Sequence, residues 1–202
     1  DRSYEKGPRP LEGYYFSISE EAEREQVPEP FNRQNAVAWE CHLLSRLTGD
    51  ASYQTRAEEL AHFFKNRLEL TKQDFYLWEY EPLRWEEERA MKTVKVTVCD
   101  DISHAFHALE PIDHMIRAGV VFDELDRQRF ARTLTRSIHQ PSGAFFSKIG
   151  CSPSFTPRIM ENLPGWLCVS AGDPEVYPLL RDFMLKNVRV PAPLFLAYLI
   201  RY

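Results

Sequence analysis

The chain of 202 residues is 44 % hydrophobic and carries a formal net charge of −5, a composition that suits one globular domain with a sizeable core. That acidic balance leaves no basic surplus to hold a nucleic-acid backbone, and no apolar run approaches the roughly 18 residues a membrane helix needs. The stretch Asp1 to Glu5 lacks the apolar centre of a signal peptide, so a periplasmic or secreted setting is expected only if a leader has been removed, and a cytoplasmic one otherwise.

Residues 1–31 hold prolines at positions 8, 10, 28 and 30 around the aromatic run Tyr14-Tyr15-Phe16. This predicts an N-terminal arm, extended or in a short helix, laid over a single domain of residues 32–202. From Asn32 the apolar period becomes helical. Val37, Cys41, Leu44 and Leu47 share one stripe, and Thr48-Gly49-Asp50 stops the helix. A second helix starts at once, with Tyr53, Ala57, Leu60, Ala61, Phe64 and Leu68 on one face.

The same plan returns twice. Ile102, Phe106, Leu109, Ile112 and Ile116 lead to Gly119, and Phe130, Leu134 and Ile138 mark the return helix. Trp166 to Val169 then lead to the bend Ala171-Gly172-Asp173-Pro174, where Asp173 is a good cap and proline suits a first turn, and Val176, Leu179, Leu180, Phe183 and Met184 return. Pro191 to Tyr202 is apolar enough for one more packed helix. The expected fold is all-α, built of antiparallel αα-hairpins. A short β excursion falls in the connector 70–99, where Met91 to Val98 alternates like a strand.

The connectors 70–99 and 140–160 are longer than tight helix packing requires, which marks them as functional or disordered. The first displays Tyr76, Trp78 and Tyr80 among charged residues, an aromatic ladder that either stacks on sugars or covers helix ends. Directly after it comes Cys99-Asp100-Asp101-Ile102-Ser103-His104-Ala105. Asp100 or Asp101 can cap the following helix, and either carboxylate can orient the His104 imidazole. The four cysteines show no CxxC spacing, sit singly among apolar neighbours and read as core thiols. Asp101, His104, His107 and Glu110 form a polar stripe without HExxH spacing, so neither a metal nor another cofactor is expected.

Pro30-Phe31-Asn32-Arg33-Gln34-Asn35, Thr48-Gly49-Asp50 with Tyr53, Tyr76-Leu77-Trp78-Glu79-Tyr80, Asp100 to Ala105 and Pro164-Gly165-Trp166-Leu167, taken in order, resemble the α/α-toroid proteins that process uronic-acid polysaccharides. The resemblance is to polysaccharide lyases of the alginate and glucuronan type and to the toroid domain of uronyl C5-epimerases, over residues 30 to 187. It implies a partial or incomplete (α/α) toroid, since about three hairpins stand where a closed ring uses six or seven. It also implies an acidic polysaccharide or oligosaccharide as partner. By matching motif, His104 with Asn35 or Asn32 becomes the carboxylate-neutralising pair and Tyr80 the proton carrier. Arg33, Trp78, Asp101, His107, Arg158 and Trp166 become candidate sugar contacts.

The expected chemistry is abstraction of the C5 proton of a uronate, giving β-elimination or C5 epimerisation. Two alternatives come from different classes. One is a toroid glycosidase that uses a pair among Glu79, Glu81, Asp100 and Asp101, and the other is a non-catalytic helical repeat scaffold for a protein partner. The oligomeric state is not encoded in any of these motifs.

Overall fold

The structure, a computed structural model, describes residues 3–17, 28–82, 96, 99–150, 156, 160–187, 197 and 200–201. They are mainly helical with two small antiparallel sheets. The N-terminal arm is a hairpin, β1 (Tyr4–Lys6) with β2 (Gly13–Tyr15), and the second sheet pairs β3 (Glu69–Leu70) with β4 (Tyr76–Leu77). The body is mainly helical, as expected, and β4 lies within the connector 70–99; the hairpin of the arm is the β element that the all-α expectation lacks. Met91 to Val98, the segment expected to be a strand, lies outside the described residues except for Val96.

Helix α1 (Phe31–Thr48) ends where Gly49 takes a left-handed φ of 74°, and α2 (Ala51–Lys65) begins under the Asp50 cap, whose carboxylate accepts from Ser52 N–H at 2.8 Å. The two-residue link folds α2 back along α1. Helix α3 (Ile102–Ala118) stops at Gly119, again left-handed at φ 70°, and α4 (Glu124–Arg132) starts with a capping box made by Asp123 and Asp126. Its last turn widens into a π-helix over Thr133–Ile138. The third pair is a 3-10 helix, Leu163–Gly172, followed by α5 (Val176–Asn187). Of the expected C-terminal helix only Ala197, Ile200 and Arg201 are described.

Helix α3 is the hub. It packs against α1 on one side and the 3-10 helix on the other, and the 3-10 helix also touches α4 and α5. Trp78, Trp166, Phe64 and Phe130 lie at the centre, all fully buried, with Trp78 edge-on to Phe130 at 5.6 Å and stacked on Trp166 at 6.2 Å. The expected apolar positions of α3 and α4 are all buried.

Helix α1 is rotated from its expected face. Leu44 and Leu47 are exposed, whereas Phe31, Gln34, Asn35, Ala38, Cys41 and His42 form the buried stripe. Polar partners explain the rotation. The Gln34 amide accepts from Tyr15 N–H at 3.0 Å and donates to Tyr15 C=O at 2.8 Å, which clamps the arm, and His42 Nδ1 lies 2.9 Å from Gln54 Oε1. The cysteines also divide. Cys41 and Cys168 are buried and free, as expected, but Cys99 is disulfide-bonded, and Cys151 lies outside the described residues.

Two glycines separate backbone from packing costs. A Cβ at Gly119 would meet nothing within 4 Å, so Gly119→Ala costs only the left-handed strain, about 1 kcal/mol. A Cβ at Gly165 would lie 2.4 Å from the Phe106 ring, and Gly165→Ala must displace a core aromatic at a cost of about 1–3 kcal/mol. Urea denaturation is expected to rank Gly165→Ala as the more destabilising of the two.

Candidate functional site

The segment Cys99 to Ile102 is held on both sides. Cys99 bridges to Glu79, and Asp100 N–H donates to Trp78 C=O at 3.2 Å. On the other side Ile149 N–H donates to Asp100 C=O at 3.0 Å, Ile102 N–H donates to Ser147 C=O at 3.1 Å, and Asp101 bridges to Lys148. The two long connectors therefore meet across the start of α3. A further bond, Phe31 N–H to Tyr80 C=O at 3.2 Å, brings the first turn of α1 to the same place.

Three backbone segments thereby present one set of side chains. Asp101 caps α3, its Oδ1 accepting from Ser103 N–H at 2.8 Å and His104 N–H at 3.0 Å, while its Oδ2 lies 2.8 Å from His104 Nδ1. The His104 ring packs on Tyr80 with centroids 4.3 Å apart, and its side chain is 43 % exposed, so it meets solvent. Burial pushes the Tyr80 phenol above its ordinary range; Arg33 opposes this, and the Glu81, Asp100 and Asp101 carboxylates add to it. Arg33 is exposed and paired to Glu29 at 2.8 Å, and Asn32 Oδ1 accepts from Arg33 N–H at 2.9 Å. His107 is exposed one turn beyond His104 on α3.

Asp100 stands behind them in the interior, 2 % exposed, with Oδ2 accepting from Trp78 Nε1 at 3.2 Å. Burial pushes its carboxyl well above the ordinary carboxylate range. The Asp101 charge adds to the rise, and the bonds from Trp78 and from the Asp101 backbone, with the Lys148 charge, oppose it.

Burial corrects two expected sugar contacts, Trp78 and Trp166, and one expected carboxylate-neutralising residue, Asn35. Trp78 and Trp166 are fully buried, their indole N–H groups donating inward to Asp100 and to Ile102 C=O at 2.9 Å, so neither offers a face to a ligand. Asn35 is likewise sealed in, and its amide donates to Ala108 C=O at 3.2 Å. That bond falls beside Pro111, which removes the amide that would have bonded the neighbouring His107 C=O, so Asn35 stitches α1 to a weakened part of α3. Arg158 lies outside the described residues. The structure thus groups Tyr80, Asp101 and His104, with Asn32 and Arg33 on the adjoining helix start, and sets Asn35, Trp78 and Trp166 apart.

By sequence Asp100 is an alternative cap, an alternative partner for His104 and one of four glycosidase carboxylates; its place in the interior is what the structure adds. The doubled Asp was the available signal, because one helix start uses one capping carboxylate and leaves the other needing a different explanation.

No protein-family model matches the chain, and neither a curated protein nor a solved structure does.

The two jobs of Asp101 are separable. Asp101→Asn keeps a capping oxygen and is expected to lose at most a few tenths of a kcal/mol, since a pair to a half-exposed imidazole contributes little. Asp101→Ala removes the cap and is expected to lose about 1 kcal/mol, as read by urea denaturation.

Proposed function

We propose that this protein binds a uronate-containing polysaccharide or oligosaccharide and removes the C5 proton of the sugar, with β-elimination or C5 epimerisation as the outcome, on hairpins that form part of an (α/α) toroid. The observation that carries the reading is the contact between the Tyr80 and His104 rings, with His104 Nδ1 held by Asp101 and both rings reaching the surface. These residues come from two of the motifs that resemble the uronate lyases and epimerases, and a third motif, the start of α1, adjoins them through the bond from Phe31 to Tyr80.

The chemistry sets the roles. Taking the C5 proton places a second negative charge beside a carboxylate, so donors that strengthen as this charge develops lower the barrier. His104 supplies one such donor, and Asn32 with Arg33 takes the place first assigned to Asn35. Tyr80 carries the proton. In elimination the C5–H electron pair forms the C4–C5 double bond, the C4–O4 bond breaks, and the proton passes to the departing O4. In epimerisation the C4–O4 bond survives and a proton returns to C5 from the opposite face. The Cys99 disulfide supports a periplasmic or extracellular setting, where such polymers are met.

The test is incubation with a panel of polyuronates, read by ultraviolet absorbance of unsaturated ends and by deuterium uptake from solvent at C5. Absorbance is expected for a lyase, and uptake without absorbance for an epimerase. Tyr80→Phe and His104→Ala are each expected to lower kcat by about 10²-fold or more. No signal in either readout across the panel, or wild-type turnover in both variants, would refute the proposal.

A further inference from the structure

We propose that Asp100, Asp101 and His104 form a binding site for a divalent first-row cation such as Mn²⁺ or Zn²⁺. One ligand atom from each of the three lies within 4.8 Å of the others. An ion with bonds of about 2.1 Å holds neighbouring ligands about 3 Å apart and opposed ones about 4.2 Å apart, so small side-chain rotations suffice. The 2.8 Å between Asp101 Oδ2 and His104 Nδ1 already suits two adjacent ligands. Two carboxylates and an imidazole form a donor set suited to such ions.

An independent observation comes from the interior. The buried acids Glu12, Asp113 and Asp126 each face a cation: Arg67 at 3.2 Å, Arg127 at 3.0 Å and Lys65 at 2.8 Å. Asp100 is equally buried, yet among the described residues it has no ion pair and its Oδ1 has no hydrogen-bond partner. A carboxylate oxygen taken out of water without a partner is unfavourable, and a metal ion is the partner that neighbouring Asp101 and His104 are placed to share.

The rest of the arrangement resembles the outer support of a metal site. Trp78 Nε1–H engages Asp100 Oδ2 and leaves Oδ1 free, while the α3 amides engage Asp101 Oδ1 and leave Oδ2 toward His104. With three protein ligands the ion keeps open positions. On the reading of the preceding subsection, one of these receives the sugar carboxylate, and the ion adds its charge to the donors supplied by Asn32 and Arg33.

Protein stripped with a chelator is titrated with MnCl₂, followed by calorimetry and by the loss of the free-ion electron paramagnetic resonance signal. One Mn²⁺ per chain is expected. Asp100→Asn and His104→Ala should each weaken binding more than tenfold, and Asp50→Asn, which alters a helix cap elsewhere, should leave it unchanged. His104 is half exposed, so its alanine variant keeps the test decisive if Asp100→Asn does not fold. Absence of Mn²⁺ binding, or equal affinity in wild type and His104→Ala, overturns the site. Mn²⁺ bound as expected with no polyuronate turned over sustains the site and refutes the lyase or epimerase reading. Full turnover by stripped protein sustains that reading and overturns the role given to the ion.

Discussion

The clamp on Cys99 to Ile102 is the constraint on which the site depends. Connectors that start some 30 and 40 residues away pair with this segment from opposite sides, one through Trp78 and Glu79, the other through Ser147, Lys148 and Ile149. Helix α3 leaves the clamp at a fixed angle, because its first free amides are taken by the Asp101 carboxylate. Where α3 begins decides where His104 stands, and where the first connector pairs decides where Tyr80 stands. Their ring contact follows from backbone pairing made in the interior.

The same clamp draws a carboxylate into the core. Alternation along the connector turns Tyr76 and Trp78 inward and leaves Leu77 and Glu79 less buried, which lets the Trp78 indole reach the Asp100 side chain. A tryptophan in an aromatic core needs an acceptor for its N–H, and Asp100 supplies it. Bonds from neutral donors, the Trp78 indole and the Asp101 backbone, compensate a buried carboxylate only in part, so burial is the largest influence on Asp100 and holds its carboxyl well above the ordinary range. The other buried acids are matched by arginine or lysine and serve to tie helices and the arm together; Asp100 is matched by none among the described residues.

Hairpins and caps were legible in the sequence because their signals are local. Gly49 and Gly119 stand where the chain needs a left-handed turn, and Asp50 and Asp101 stand where free amides need acceptors. The inner face of α1 was not legible. Counting apolar residues selects Val37, Cys41, Leu44 and Leu47, but Gln34, Asn35 and His42 face inward because each finds a partner on a distant element. The same blindness put Asn35 in the site and Trp78 on a sugar, since residue type alone does not distinguish an amide that binds a ligand from one that binds Ala108 C=O. Asp101 and His104 were legible as a pair because a cap and an imidazole three residues on share short-range geometry, whereas Tyr80, remote in sequence, entered only through the resemblance and is brought to His104 by long-range backbone pairing.

The doubled aspartate shows how two adjacent residues divide unlike tasks. Asp100 Oδ2 accepts from the Trp78 indole and Asp101 Oδ1 from the helix amides, while one oxygen of each carboxylate stays within 4.8 Å of the other and of a His104 ring nitrogen. Each carboxylate spends one oxygen on structure: the second oxygen of Asp101 orients an imidazole, and the second of Asp100 meets no donor among the described residues. Glutamate at either position would move these oxygens by a methylene, and asparagine would replace an acceptor by a donor. The fold alone asks for one cap at this point, and one carboxylate provides it. The second serves the core instead, as the acceptor of the Trp78 N–H, and the burial that this role demands weighs against its charged form.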